Sequence, residues 1–428
     1  MRDTTAGIIA PKLLKEEASA SSRKVFCEFF AGIGLVRMGL AASGWYCAYA
    51  NDISEKKRQL YEACFGSDGH FHLGDVWNRD EVIAKIPGSP FLATASFPCI
   101  DTSLAGNWKG FDGVHSSSFF GFVNVLQELA RRRPKVVMLE NVVGFLTSQD
   151  GKDYEAAVRA LAELGYWIDS FAVDARYFVP QSRPRIFVIG VHESVNGAPT
   201  VRKEESEWFS GRWSSRIDAG GKFLRPPKLV QLMEAIELPT GWAAFDLREP
   251  KAERVDIADI IDLDDNQEWW DATSVSKHHD MMSDRHRKIV DEMLESGGKF
   301  TGTIYRRKRN GKTRAEIRFD GLAGCLRTPK GGSARQIIIA VDRGQLRIRW
   351  MSPREYARLQ GAGDFPLVKN TIQNLYGLGD AVCVPVIQWI DKNVLTPVFD
   401  AYQAESREFI GGQDVTVTAA NDAGGERK

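Results

Sequence analysis

The chain has 428 residues, 43% of them apolar and 26% charged, with 56 basic side chains against 56 acidic ones. That length allows two packed domains, the apolar share excludes a disordered chain, and the zero formal charge excludes a globally basic nucleic-acid footprint. The six cysteines, at 27, 47, 64, 99, 325 and 383, form no C-x-x-C pair. This argues against a zinc site or a disulfide framework and for a reducing, cytoplasmic setting. No signal peptide and no apolar run long enough to span a bilayer is present, so a membrane partner is not expected.

Residues 1–22 are Ser/Ala-rich and mixed, and a disordered leader is expected there. Order should begin near Lys24. Val25-Phe26-Cys27-Glu28-Phe29-Phe30 predicts a strand, followed through Ala31-Gly32-Ile33-Gly34 by a helix over Leu35–Ala42. A second strand, Trp45–Ala50, ends at Asn51-Asp52, and a helix follows with Ser54 as its N-cap. Leu73-Gly74-Asp75 marks a third strand end. The run Phe91–Ala95 is a fourth strand, closing on Ser96-Phe97-Pro98-Cys99. A helix over Phe119–Leu129 leads to a fifth strand, Val136–Leu139, which ends at Glu140-Asn141-Val142. A helix over Tyr154–Leu164 precedes two more strands, Trp167–Val173 and Ile186–Val191. Such alternation predicts a doubly wound, Rossmann-like α/β sheet.

Past Val191 the rhythm breaks. Residues 195–345 are expected to form an inserted smaller domain, with 23–194 and 346–402 making up the large one and 403–428 a disordered tail. Charge is uneven in the insert: Asp256–Asp271 holds seven acids and no Lys or Arg, whereas Lys299–Arg349 carries 14 Lys/Arg against 3 Asp/Glu. Arg306-Arg307-Lys308-Arg309 followed by Asn310-Gly311 predicts a hairpin tip with charged flanks. Ser352-Pro353 then starts a helix, and a further apolar-faced helix runs over Asp380–Val394.

Two places carry chemistry. At the first, Gly32-x-Gly34 opens a strand-to-helix turn, but the third glycine of the dinucleotide fingerprint is missing, so no pyrophosphate cradle is indicated. Asp52 ends the second strand, placed for a ribose diol, and Asp75 ends the third, placed for an adenine amino group. Phe30 could stack on adenine. These residues point to an adenosine ligand without a pyrophosphate. At the second, Pro98 fixes the backbone before Cys99 at a strand's carboxyl end, facing a long glycine-rich loop. A thiol so placed suits nucleophilic catalysis, with a buried structural cysteine as the plain alternative. Glu140 ends another strand. Arg183 and Arg185 alternate with Ser182 and Pro184, so both can point one way.

Together these stretches resemble the cytosine-5 DNA methyltransferase family. Phe30-Ala31-Gly32-Ile33-Gly34 is similar to its first motif, Phe97-Pro98-Cys99 to its Pro-Cys motif, Glu140-Asn141-Val142 to its Glu-Asn-Val motif, and Gln181-Ser182-Arg183-Pro184-Arg185 to its Gln-x-Arg-x-Arg motif. Arg354–Gly361 resembles the motif after the recognition domain, and Gly379-Asp380-Ala381-Val382 the closing motif. All stand in the usual order. The chain departs from the pattern at Leu35, Ile100, His115-Ser116 and Asp380, the last where asparagine is usual.

The resemblance implies an enzyme that moves a methyl group from S-adenosyl-L-methionine to carbon 5 of a flipped cytosine in double-stranded DNA. Cys99 would be the nucleophile and Glu140 the group at ring nitrogen 3. Arg185 would brace a carboxylate bidentately, and Arg183 would contact the base. The cofactor would lie against Phe30, Ala31, Gly32, Ile33, Gly34, Asp52, Ile53, Asp75, Val76, Pro98, Asp380, Ala381 and Val382. Ser103 and Lys109 of the loop would meet DNA, as would Arg306, Arg307 and Arg309 of the insert, which is expected to be the target-recognition domain. No metal is expected. A monomer at the bacterial nucleoid is expected, with a cognate restriction endonuclease as candidate partner. A tRNA-directed relative, a silent DNA-binding regulator and a nucleotide-dependent oxidoreductase are the rival readings.

Overall fold

The computed structural model describes residues 23–98, 118–198, 200–202, 224–252, 255–264, 266–309, 311–329 and 334–418. Cys99, the loop over 100–117 and the leader over 1–22 lie outside these residues.

The first half follows the expected alternation: β1 (Val25–Phe29), α1 (Leu35–Ala41), β2 (Tyr46–Asp52), α2 (Glu55–Phe65), β3 (Phe71–Leu73), α3 (Arg79–Lys85), β4 (Leu92–Ala95), α4 (Ser118–Glu128), β5 (Val136–Val142), α5 (Lys152–Glu163), β6 (Tyr166–Asp174) and β7 (Pro184–His192). The seven strands form one sheet in the order β3-β2-β1-β4-β5-β7-β6. The neighbours from β3 to β5 pair in parallel, whereas β7 runs antiparallel to both β5 and β6. The chain reverses its winding beside β1, so the crevice beyond the carboxyl ends of β1, β2 and β4 is where such a sheet binds ligands. Short, nearly continuous apolar runs such as Leu92-Ala93-Thr94-Ala95 suit strands covered on both faces. One core holds Leu35, Val36 and Leu40 of α1; the other holds Phe119, Phe122 and Val123 of α4 with Tyr154 and Leu161 of α5.

The insert is narrower than the 195–345 expected. Strands β8 (Thr200–Arg202) and β9 (Ala243–Phe245) pair with each other, and α6 (Pro227–Ala235) places Leu229, Leu232 and Met233 in the catalytic core. The tie is a buried ion pair, Arg225 Nη2 to Asp169 Oδ2 at 2.9 Å, with the N–H of Phe245 donating to the same oxygen at 2.9 Å. What packs separately is α7 (Ala272–Asp280), α8 (Asp284–Glu295), and an antiparallel sheet of β10 (Lys299–Arg309), β11 (Lys312–Arg318), β12 (Ile337–Asp342) and β13 (Gln345–Trp350) in the order β11-β10-β12-β13. Its own small core contains Met282, Val290, Ile304, Ala315, Ile337, Ile339 and Ile348. Arg309 pairs with Lys312 in the antiparallel β10–β11 ladder, and Gly311 just before Lys312 has φ +75°.

The chain then returns through α9 (Pro353–Leu359), α10 (Thr371–Asp380), α11 (Val384–Ile390) and α12 (Thr396–Thr418). Ser352 and Glu355 form a capping box at α9. The expected tail from 403 is instead helical as far as Thr418; Ala401, Gln403, Ala404, Glu405 and Arg407 are good helix formers. The return is bound to the sheet: Trp45 Nε1 donates to the buried Asp391 Oδ1 at 2.7 Å, and a Cβ on Gly39 would meet Ile387 Cβ at 2.7 Å. Among the described residues no helix is long and apolar enough to cross a membrane.

Candidate active site and cofactor pocket

The cofactor end is built by backbone geometry at three strand ends. Phe30 adopts φ +54°, an uncommon conformation for a residue with a side chain, and Gly32 and Gly34 follow at +59° and +81°. A Cβ on Gly34 would meet Tyr61 at 2.7 Å, so α2 packs directly on the turn. Asp52 is 6% exposed. Its Oδ2 accepts the Gly32 N–H and its Oδ1 the Ser54 N–H, each at 2.9 Å, which fixes the carboxylate while leaving lone pairs for a ribose diol. Asn51 spans from β2 to the end of β3, donating to His72 O at 3.1 Å and Gly74 O at 2.9 Å. That sets the position of Asp75, whose Oδ1 accepts the Trp77 N–H at 3.0 Å. Ile53 is 71% exposed beside these polar groups. A bare aliphatic side chain next to a fixed carboxylate suits one face of a flat base.

Sequence reasoning missed two groups here. Lys57, in the first turn of α2, stands 3.3 Å from Asp380 and 4.0 Å from Asp52, linking the end of α10 to the Asp52 carboxylate. Glu28 lies inside β1 and is 1% exposed. Burial pushes its carboxyl up to about 8, against the opposing pull of the Arg37 charge and backbone N–H. An acid in the middle of an apolar strand was the available signal.

The catalytic end lies across β4, β5 and β7. Strand β5 runs parallel to β4, so Glu140 leaves the sheet one strand from Phe97-Pro98. Asn141 Nδ2 donates to Phe97 O at 3.3 Å, hooking the two ends together. In the β5–β7 register Val142 opposes Arg185 and Glu140 opposes Phe187, so Glu140 and Arg185 are diagonal neighbours on one face. Arg185 Nε lies 3.0 Å from Glu140 Oε1. The expected bidentate brace is thus a single contact: Arg185 Nη1 donates to Pro184 O at 2.9 Å and Nη2 lies 3.8 Å from Cys325 Sγ.

Arg183 is the larger correction. It is 2% exposed, and its fork donates to Leu326 O at 2.8 Å, Gly379 O at 3.2 Å and Ala381 O at 2.6 Å, with Nη1 3.3 Å from Cys325 Sγ. A guanidinium spent on buried carbonyls is a strut, not a contact waiting for a base. Gln181 continues the strut, donating to Leu359 O at 2.7 Å and accepting the Leu326 N–H at 3.0 Å. Gln360 donates to Leu378 O at 2.7 Å and Ala381 O at 3.0 Å. Motifs far apart in the chain therefore meet in one buried polar knot. Cys325 sits at its edge. Burial, the strongest influence, raises its thiol, yet the Arg183 and Arg185 charges, a hydrogen bond from Arg185 and the Arg327 charge together bring it below the ordinary value.

Of the expected DNA contacts, Ser103 and Lys109 lie outside the described residues. The Arg306 guanidinium lies 4.7 Å from the Trp350 ring, on the face that covers the small core. Arg307, one residue on, faces the other way and pairs with Glu316 at 3.5 Å. Arg309 is the last residue of β10. Among the described residues no three His, Cys, Asp or Glu side chains come together as a metal site.

A doubly wound sheet with carboxylates at its second and third strand ends, a glycine-rich first turn, and an acid–arginine pair one strand from Phe97-Pro98 suits a methyltransferase that takes an adenosine cofactor and acts on a base. The family model of the C-5 cytosine-specific DNA methylases matches residues 25–396. The chain belongs to that family: it is an S-adenosylmethionine-dependent DNA cytosine-5 methyltransferase. Over 417 residues it is 26% identical to the type II methyltransferase M.HpaII of Haemophilus parainfluenzae, covering 91% of this chain and 95% of that one. It is 32% identical to the type II methyltransferase M.HhaI of Haemophilus parahaemolyticus over 172 residues, which are 40% of this chain and 50% of that one. The fold is similar to that of the Schizosaccharomyces pombe Dnmt2 methyltransferase, with TM-score 0.53 and 15% identity over 88% of this chain and 99% of that one.

Proposed function

We propose that Cys99 adds to carbon 6 of a cytosine flipped out of duplex DNA, making carbon 5 nucleophilic. Glu140 holds or shares a proton at ring nitrogen 3 as electron density builds there. Arg185 keeps the Glu140 carboxylate aimed, and its outer nitrogens are the donors for the base's carbonyl oxygen, the task first expected of Arg183. Bound across Phe30, Asp52, Ile53 and Asp75, S-adenosylmethionine supplies the methyl group. The loop from Ser103 to Ser118 closes on the base, with Lys109 at a phosphate. The observation that carries this reading is the 3.0 Å Glu140–Arg185 pair one strand from Phe97-Pro98.

A cytosine with fluorine at carbon 5 tests it, since the hydrogen that must leave is missing. With cofactor present such DNA should trap the protein as an adduct that survives denaturation. Cys99→Ala should lose adduct and turnover while keeping DNA affinity, and Glu140→Gln should form adduct ~10²–10⁴-fold more slowly. An adduct that persists in Cys99→Ala, mapped to Cys325, overturns the assignment.

Duplex DNA is favoured over tRNA by the basic stretch 299–349; labelled methyl transfer to each separates them. The recognition role of 195–345, with its core unit in 266–350, a monomeric nucleoid-associated state and a restriction endonuclease partner belong to the same reading.

A further inference from the structure

Strand alternation sorts the basic residues of the small sheet onto two faces. One face carries Ile304, Ile337, Ile339 and Ile348, all buried in the small core, together with Arg306 over Trp350. The other carries Thr303, Tyr305 and Arg307 of β10, opposite Arg318, Glu316 and Arg314 of β11. This second face is turned toward the catalytic unit. Ile338, from that side of β12, enters the main core, whereas Ile337 and Ile339 enter the small one. Arg349, from that side of β13, donates to Glu355 of α9 at 2.9 Å, and Thr303 Oγ1 lies 3.5 Å from Leu322 O.

The same face continues into the catalytic centre. The Tyr305 ring is approached by Arg307 at 5.3 Å and by Arg327 at 5.9 Å. Arg327 is exposed and rides on a backbone pressed against α10, where a Cβ on Gly379 would meet its carbonyl carbon at 2.6 Å. Two residues earlier, Cys325 touches Arg185, which holds Glu140. Among the described residues no carboxylate lies within ion-pair distance of Arg314 or Arg327, while Arg307 is matched by Glu316 and Arg318 by Asp320.

We propose that this face, with Tyr305 as a rigid aromatic spacer between Arg307 and Arg327 and with Arg314 beside it, grips the phosphate backbone of the duplex next to the target cytosine. The opposite face, with Arg306, is structural. A planar guanidinium without a carboxylate partner is suited to phosphate, and an aromatic ring beneath it fixes its direction at small entropic cost. The proposal rests on the DNA methyltransferase reading and adds which side of the small sheet meets the duplex.

The test compares Arg314→Gln, Arg327→Gln and the double variant with Arg306→Gln. Binding to a fluorescent 30-base-pair duplex of mixed sequence is followed by anisotropy from 50 to 200 mM salt, with S-adenosylhomocysteine present. Removing one arginine–phosphate interaction should flatten the slope of log affinity against log salt by about 0.9, so the double variant should lose about twice that. Arg306→Gln should keep the wild-type slope. Unchanged S-adenosylhomocysteine affinity shows that the variants are folded. A wild-type slope in the double variant, or an equal loss in Arg306→Gln, overturns the assignment of the face. A wild-type protein whose duplex affinity does not respond to salt overturns the DNA reading itself.

Discussion

Replacing Arg183 separates a strut from a base contact. Its fork satisfies three buried carbonyls, at Leu326, Gly379 and Ala381, which belong to the return segment of the insert and to the end of α10. Arg183→Ala removes the guanidinium from all three in a site that is 2% exposed; Ala381 O keeps the Gln360 amide at 3.0 Å, Leu326 O keeps only the weak Cys325 thiol at 3.4 Å, and Gly379 O loses its side-chain donor. Each unsatisfied buried acceptor costs roughly 1–3 kcal/mol, two are left poorly satisfied, and water entering the vacated space offsets part of that, so the expected loss is about 2–4 kcal/mol. Arg183→Lys keeps the charge but offers one point donor in place of a planar fork, and should recover less than half. Urea unfolding read by far-UV circular dichroism measures both. The Ala variant should show a much lower midpoint and weaker S-adenosylhomocysteine binding, because Ala381 belongs to the closing motif. A wild-type midpoint with a selective fall in kcat would refute the strut and return Arg183 to the base.

Glu28 makes stability depend on pH. Its folded pKa of about 8 lies above the ordinary carboxyl value of 4.5, so the native state holds a proton that the unfolded chain releases, and stability falls as pH rises from about 4.5 to 8. Glu28→Gln should therefore raise Tm at pH 8 and leave it nearly unchanged at pH 5; calorimetric scans at the two values decide. Asp52→Ala and Asp75→Ala should each weaken S-adenosylhomocysteine binding, Asp52 more, by on the order of 1.5–3 kcal/mol for the missing charge-accepted hydrogen bond. Calorimetric titration with unchanged affinity in both would sink the pocket. Gly379→Ala forces a Cβ to within 2.6 Å of the Arg327 backbone, which cannot yield as a side-chain tip could. It should cost about 1–3 kcal/mol by urea unfolding and weaken duplex binding; an unaffected duplex affinity would show that the Arg327 segment does not meet DNA.

Much of the site is legible in the order of residues alone. Alternating apolar runs and short turns determine strands and helices over five to twelve residues, so the strand ends carrying Asp52, Asp75 and Glu140 can be named in order. The parallel neighbour relation of β4 and β5 follows from that alternation. What local pattern could not supply is which distant backbone a side chain meets. Alternation at Ser182-Arg183-Pro184-Arg185 says that the two arginines share a side, and both do reach Cys325. Only the packing of residues 142 to 198 positions away turns Arg183 into a strut while Arg185 stays beside Glu140. The basic run at 306–309 is one stretch in the sequence, yet a strand's period of two sends Arg306 to Trp350 and Arg307 to the opposite face. Which face looks toward the catalytic sheet depends on how the whole insert docks. Glu28 differs from an ordinary carboxylate only because helices cover both faces of β1. Burial is a property of the assembled layers, and no residue type or spacing in the chain carries it.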